Sequence, residues 1–209
     1  MAEITLYGLQ LSTFTRTARM VCVEKDVSYD LVEVEMGSPA HLAVQPFGKV
    51  PAMKHGDFVL YETLAIARYI DAAFPGGRLA PADPKGAARM IQWASVTADC
   101  AYQVMIRELV WQRIVVPMQG GKADEAMIKA AVPKLDRQLA IYDKALSENA
   151  WLAGNAPSVA DLFLAPILFY VMGTPEGQAA LKNRSAINRW FGAISERPSY
   201  KSTMPVLPK

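Results

Sequence analysis

Two hydroxyl residues, Ser12 and Thr13, stand directly before a segment whose apolar positions recur at helical spacing, and Thr15 follows two residues on. Side-chain oxygens there accept hydrogen bonds from the free N–H groups of a helix start, so position alone makes Ser12 a cap. Glu62-Thr63 marks a second strand-to-helix boundary, and unsatisfied N–H groups at a helix start form a site suited to an anion. Lys49-Val50-Pro51 reads as an exposed lysine followed by a strand start. Arg107 and Trp111 lie one helical turn apart. Other chemistries find no support. Cys22 and Cys100 form no CxxC and read as core thiols, while His41 and His55 lack the spacing of metal ligands. Lys and Arg number 22 against 20 Asp and Glu with no basic block, which gives no reason to expect a nucleic-acid partner.

These residues depend on elements that the pattern of the chain specifies. Ile4 to Tyr7 is a short strand ended by Gly8, and Phe14 to Lys25 is a helix with Ala18, Val21 and Cys22 on one face. Tyr29 to Val34 alternates as a strand, and His41 to Val44 is a weak helical turn. Val50 to Lys54 and Phe58 to Tyr61 make a hairpin around His55-Gly56-Asp57, and Glu62 to Phe74 is an amphipathic helix stopped by Pro75-Gly76-Gly77. The order is β-α-β-α-β-β-α. Pro81-Ala82-Asp83-Pro84 reads as a linker, and only helices follow: Gly86 to Val116, Ala123 to Leu146 with a kink or break expected at Pro133, and Ala186 to Glu196. Ser158 to Asp161 is a capping box opening a helix to Met172 that is apolar nearly all round, hence the buried centre of the second half. The greasy run Leu162 to Met172 contains Pro166 and is too short to span a bilayer, and the N-terminus lacks a signal-peptide pattern. The expected class is α/β followed by all-α, with domains at 1–79 and 86–209 joined by 80–85.

Along nearly its whole length the chain resembles the glutathione transferases, and most of all their phi class. The motifs that carry the likeness are Leu11-Ser12-Thr13, Glu24-Lys25, Gln45-Pro46-Phe47-Gly48-Lys49-Val50-Pro51, Tyr61-Glu62-Thr63, Trp151 to Gly154, Ser158 to Asp161, Met172 to Pro175 and Glu196-Arg197-Pro198. It is their order and spacing together that are specific. The resemblance implies a thioredoxin-like glutathione-binding domain followed by a helical domain that forms the second-substrate pocket between the two. It implies that Ser12 donates its hydroxyl hydrogen to the glutathione sulfur, a role Thr13 or Thr15 would be placed to take instead. Thr63 would hold the γ-glutamyl carboxylate, Glu62 the adjacent ammonium, and Val50, before a cis proline, the cysteinyl backbone.

One motif departs from the family. Where phi enzymes often carry a His-Lys pair for the glycyl carboxylate, this chain has Met36-Gly37, leaving His41 or Lys49 as replacements. Leu11, Phe14, Arg107 and Trp111 are the residues expected around the second substrate. The implied activity is conjugation of the glutathione thiolate to largely apolar electrophiles, a detoxification-type reaction without a metal. A glutathione-binding carrier or interaction module with little turnover is the alternative. A cytoplasmic homodimer is the implied setting, with Phe47 either keyed into the partner or filling its own core.

Overall fold

The computed structural model describes residues 2–206, which fall into two compact units that divide between Ala82 and Asp83. In the first unit, β1 (Ile4–Gly8), α1 (Thr13–Glu24), β2 (Tyr29–Glu33), α2 (Pro39–Val44), β3 (Ala52–His55), β4 (Phe58–Tyr61) and α3 (Thr63–Ala73) follow in the order read from the sequence. The sheet runs β2-β1-β3-β4, with β1 parallel to β2 and antiparallel to β3, and β3 antiparallel to β4. Alternate residues Ile4, Leu6 and Gly8 of β1 are buried, as the period-two pattern requires. Helices α1 and α3 pack against each other. A close approach explains Gly8: a Cβ there would stand 2.4 Å from Thr15 Oγ1 and 2.6 Å from its Cγ2.

This unit also takes in residues 196–206, which the sequence reading assigned to the helical domain ending at 209. The reason lies in buried arginines on α1. Arg16, 1% exposed, donates to the Tyr200 carbonyl at 3.1 Å and stacks on the Tyr200 ring at 4.3 Å. Arg19 donates to the Thr203 carbonyl at 3.4 Å. Glu24 accepts two hydrogen bonds from Arg197, at 2.7 and 2.5 Å, and one from Ser199 at 2.5 Å. A short helix, α10 (Pro198–Ser202), carries these contacts.

The second unit contains α4 (Pro84–Val96), two π-helical stretches π1 (Thr97–Ala101) and π2 (Gln103–Val115), α5 (Val116–Met118), α6 (Glu125–Glu148), α7 (Val159–Met172), α8 (Pro175–Leu181) and α9 (Ser185–Ser195). The expected capping box is present, and α7 is buried on almost every side. Asp161 at its start accepts from the Leu152 N–H, the Ser158 N–H and hydroxyl, and the Trp190 indole. Two expectations change. α6 runs through Pro133 without a break; both Pro133 and Lys129, whose carbonyl the proline leaves unpaired, are exposed to water. The long first helix is α-helical only to Val96, after which its bonds reach five residues back, as from Val116 N–H to Trp111 C=O. No single helix among the described residues is long and apolar enough to cross a membrane.

Burial alone would raise the Glu24 carboxyl, but the hydrogen bonds and charge of Arg197, with Ser199, outweigh it and hold Glu24 below the usual carboxylate range. Its contribution is therefore complete above the unfolded value of about 4.3 and is lost as pH falls through the lower folded value. Glu24→Gln is expected to cost about 1 kcal/mol at neutral pH and to flatten the acid limb of stability, measured by urea unfolding between about pH 3 and 7.

Candidate active site

The strand register brings the sequence-predicted residues of the first unit to one end of its sheet. Tyr7 pairs with Ala52, and Ala52 with Tyr61. The segments leaving β1, entering β3 and leaving β4 therefore emerge together, and they carry Ser12, Lys49-Val50 and Glu62-Thr63. β2 ends at the same edge, because Gly8 pairs with Glu33, so Met36 and Gly37 leave from there too.

Ser12 is the N-cap of α1. Its Oγ accepts the Thr15 N–H at 3.2 Å, its carbonyl accepts the Arg16 N–H at 2.9 Å, and its own N–H donates to the Leu9 carbonyl at 3.0 Å. The hydroxyl proton has no part in the cap. Capping thus leaves the side chain a donor, polarised by the N–H bond it accepts and placed at the positive end of the helix dipole. Ser12 keeps partial exposure, whereas Thr13 and Thr15 are 5% and 0% exposed. The Thr15 hydroxyl is packed against Gly8 and finds no hydrogen-bond partner among the described residues. Leu11 is exposed and Phe14 half-buried on either side of Ser12.

The Val50–Pro51 bond is cis. Lys49 is exposed and has no ion-pair partner among the described residues. His41 holds a different place from the carboxylate grip considered for it. It is 2% exposed, its Nδ1 accepts the Gly37 N–H at 3.0 Å, and its Nε2 lies 2.8 Å from the Lys49 carbonyl. An accepting Nδ1 leaves the proton on Nε2, so His41 spends both ring nitrogens tying the loop after β2 to the Lys49 backbone. Around the next turn, the Gln45 side chain accepts the Phe47 N–H at 2.8 Å, and Phe47 points outward, 68% exposed, with Tyr61 against its edge. It does not fill its own core.

Glu62 has φ 70° and ψ 117°, a sparsely populated backbone region for a residue with a Cβ. The Glu62 side chain makes no cap hydrogen bond at the start of α3, and Thr63 is 7% exposed. The left-handed φ turns the chain sharply out of β4, so that helix-start N–H groups open at the sheet end. Nothing in a glutamate announces this, since Gly or Asn would be the usual signal. Cys22 is fully buried, and burial pushes its thiol up to about 12, so it is no nucleophile. Cys100 is exposed rather than in the core, because the π winding turns it outward. No group of three or more His, Cys, Asp or Glu among the described residues could hold a metal ion.

In the helical unit, the Arg107 guanidinium lies 5.3 Å from the Trp111 ring and 5.6 Å from the Tyr102 ring. A separate cleft of about 610 Å³ opens between α4 and the end of α6, with Trp93, Ile141 and Ala145 in its wall.

Comparison with known proteins decides what this arrangement belongs to. The model of the glutathione S-transferase N-terminal domain matches residues 6–78, and that of the C-terminal domain matches residues 97–198. The chain belongs to the glutathione S-transferase family. Glutathione S-transferase F12 of Arabidopsis thaliana is 34% identical over 208 residues, covering 96% of this chain and 97% of its own. Among solved structures, glutathione S-transferase III in apo form has a TM-score of 0.90 at 32% identity, with both chains fully covered. Glutathione S-transferase I from mais, in complex with an atrazine glutathione conjugate, has a TM-score of 0.87 at 28% identity over 97% and 96% of the two chains. The relatives are phi-class, and this transferase shares their two-part fold, their enzyme class and glutathione as co-substrate.

Proposed function

We propose that this transferase conjugates the glutathione thiolate to largely apolar electrophiles in a detoxification-type reaction, with the Ser12 hydroxyl stabilising the thiolate. The observation that carries this reading is the free donor of the capping serine at the end of the sheet where Val50 and the α3 start also emerge. An ordinary thiol with a pKa of about 8.5 is only ~3% ionised at pH 7. A hydrogen bond together with the α1 dipole, lowering that to about 6.5, corresponds to ~2.7 kcal/mol of preference for the anion. The thiol proton leaves to solvent. The sulfur then bonds to the electrophilic carbon, and the leaving group departs with its bonding pair.

In the same reading Val50 offers its backbone to the cysteinyl unit as a one-residue strand addition. Thr63 and the α3 N–H groups hold the γ-glutamyl carboxylate. Glu62 pairs with the ammonium beside it, and its left-handed backbone sets that geometry. Lys49, exposed and without an acidic partner, takes the glycyl carboxylate. His41 fixes the Lys49 backbone from behind. Leu11 and Phe14 form the floor beside Ser12, and the helical unit supplies the second-substrate surface with Arg107 and Trp111. The reaction is placed in a cytoplasmic, reducing setting, in keeping with two free cysteines.

The active form is read as a homodimer. Phe47 is 68% exposed beside Tyr61, and the cleft walled by Trp93, Ile141 and Ala145, with Arg89, Lys144 and Glu148 also in its lining, has the size to receive its ring from a second copy.

Ser12→Gly removes the donor while sparing the helix cap to within a few tenths of a kcal/mol. Its kcat/KM with glutathione and a chloronitroaromatic is expected to fall about 100-fold, with retention on immobilised glutathione preserved. Unchanged turnover would reject the assignment, and retention by the wild type without any turnover would favour a carrier. Phe47→Ser is expected to shift sedimentation velocity from dimer toward monomer. A dimer unaffected at micromolar concentration would contradict the reading of that side chain.

A further inference from the structure

The π winding after Val96 has a consequence for what this transferase accepts. Tyr102 and Trp111 are nine residues apart. In an α-helix of about 3.6 residues per turn, nine residues make two and a half turns and put the two rings on opposite faces. Hydrogen bonding to the fifth residue widens each turn to between four and five residues. Position 102, five before Arg107, and position 111, four after it, then come to the same face. The structure shows the result: the guanidinium carbon of Arg107 lies 5.6 Å from one ring centre and 5.3 Å from the other.

A guanidinium between two aromatic faces is held by cation–π attraction on both sides, and its N–H donors remain free at the edge. Arg107 is exposed, and it forms no ion pair with any carboxylate among the described residues. The neighbouring acid, Glu108, is taken by Lys134 at 2.9 Å. Elsewhere in this unit an arginine of similar reach, Arg113, is neutralised by Glu125 and by Glu176, the latter at 2.6 Å. Arg107 is therefore a preorganised cation with no carboxylate partner among the described residues, flanked by two aromatic rings.

We propose that Tyr102, Arg107 and Trp111 form a carboxylate-recognising subsite, and that the preferred electrophiles are aromatic rings carrying a carboxylate. The proposal rests on the reading that the helical unit supplies the second-substrate surface. The ring keeps the electrophile largely apolar, and Arg107 takes the carboxylate by a two-pronged hydrogen bond. The carboxylate is unchanged in the reaction. With a chloronitrobenzoate, a carbon–sulfur bond forms at the carbon that bears chlorine, chloride leaves with the electron pair of the broken bond, and the thiol proton passes to solvent.

The test compares 4-chloro-3,5-dinitrobenzoate with its neutral amide in the wild type, Arg107→Leu and Arg107→Lys. The readout is the ratio of kcat/KM for the acid to that for the amide, in which any effect common to both cancels. The ratio is expected to fall about tenfold in Arg107→Leu and to be partly kept in Arg107→Lys, which retains charge without the planar fork. An unchanged ratio would overturn the subsite. A second arm separates this from failure of the conjugation reading. Should the wild type turn over neither compound, calorimetric binding of 3,5-dinitrobenzoate decides: binding about fivefold or more tighter to wild type than to Arg107→Leu upholds the subsite, and equal binding overturns it.

Discussion

In the proposed reaction, the contact on which the chemistry depends is the hydrogen bond from the Thr15 N–H to Ser12 Oγ. One side chain serves two purposes because a hydroxyl both accepts and donates. Accepting satisfies the first turn of α1. The same bond fixes the oxygen at the helix start and leaves its proton available to donate. Gly8 makes this possible one element earlier, since a side chain there would collide with Thr15 and displace the first turn. Behind the turn, Arg16 and Arg19 are buried against residues 200–203, so the far side of α1 is held by the chain's last described segment.

The rest of this sheet end is built by backbone rather than by distinctive side chains. The loop before β3 is tied by His41, whose two nitrogens bridge Gly37 and Lys49. The turn after β4 takes a left-handed φ at Glu62, a conformation that costs on the order of 1–3 kcal/mol and persists only where surrounding structure enforces it. Both devices aim main-chain groups at one sheet end. Lys49 stands exposed beside them, with no ion-pair partner among the described residues.

Much of this was legible in the residues. The β-α-β-α-β-β-α order followed from period-two and helical spacing, and the Ser158–Asp161 box from two side chains three residues apart. Placing Ser12, Val50 and Thr63 together needed the family likeness, because sheet register is not written in local pattern. Three features escaped for physical reasons. The π winding leaves no residue-type signal, and it was read as plain helix with Cys100 inside. Residues 196–206 were assigned to the helical domain because Arg16 and Arg19, which hold them to the first unit, are of a type normally found at the surface. His41 was considered a ligand, since sequence cannot tell a histidine with free nitrogens from one whose nitrogens are spent.

The central claim is that the Ser12 proton, and not merely the helix end, lowers the pKa of bound glutathione. Ultraviolet titration of the thiolate in the binary complex measures this without any electrophile. The account predicts an apparent pKa near 6.5 in the wild type, about two units below the free thiol, and a rise of at least one unit in Ser12→Gly at saturating glutathione. A bound thiol that titrates identically in the two proteins would contradict it.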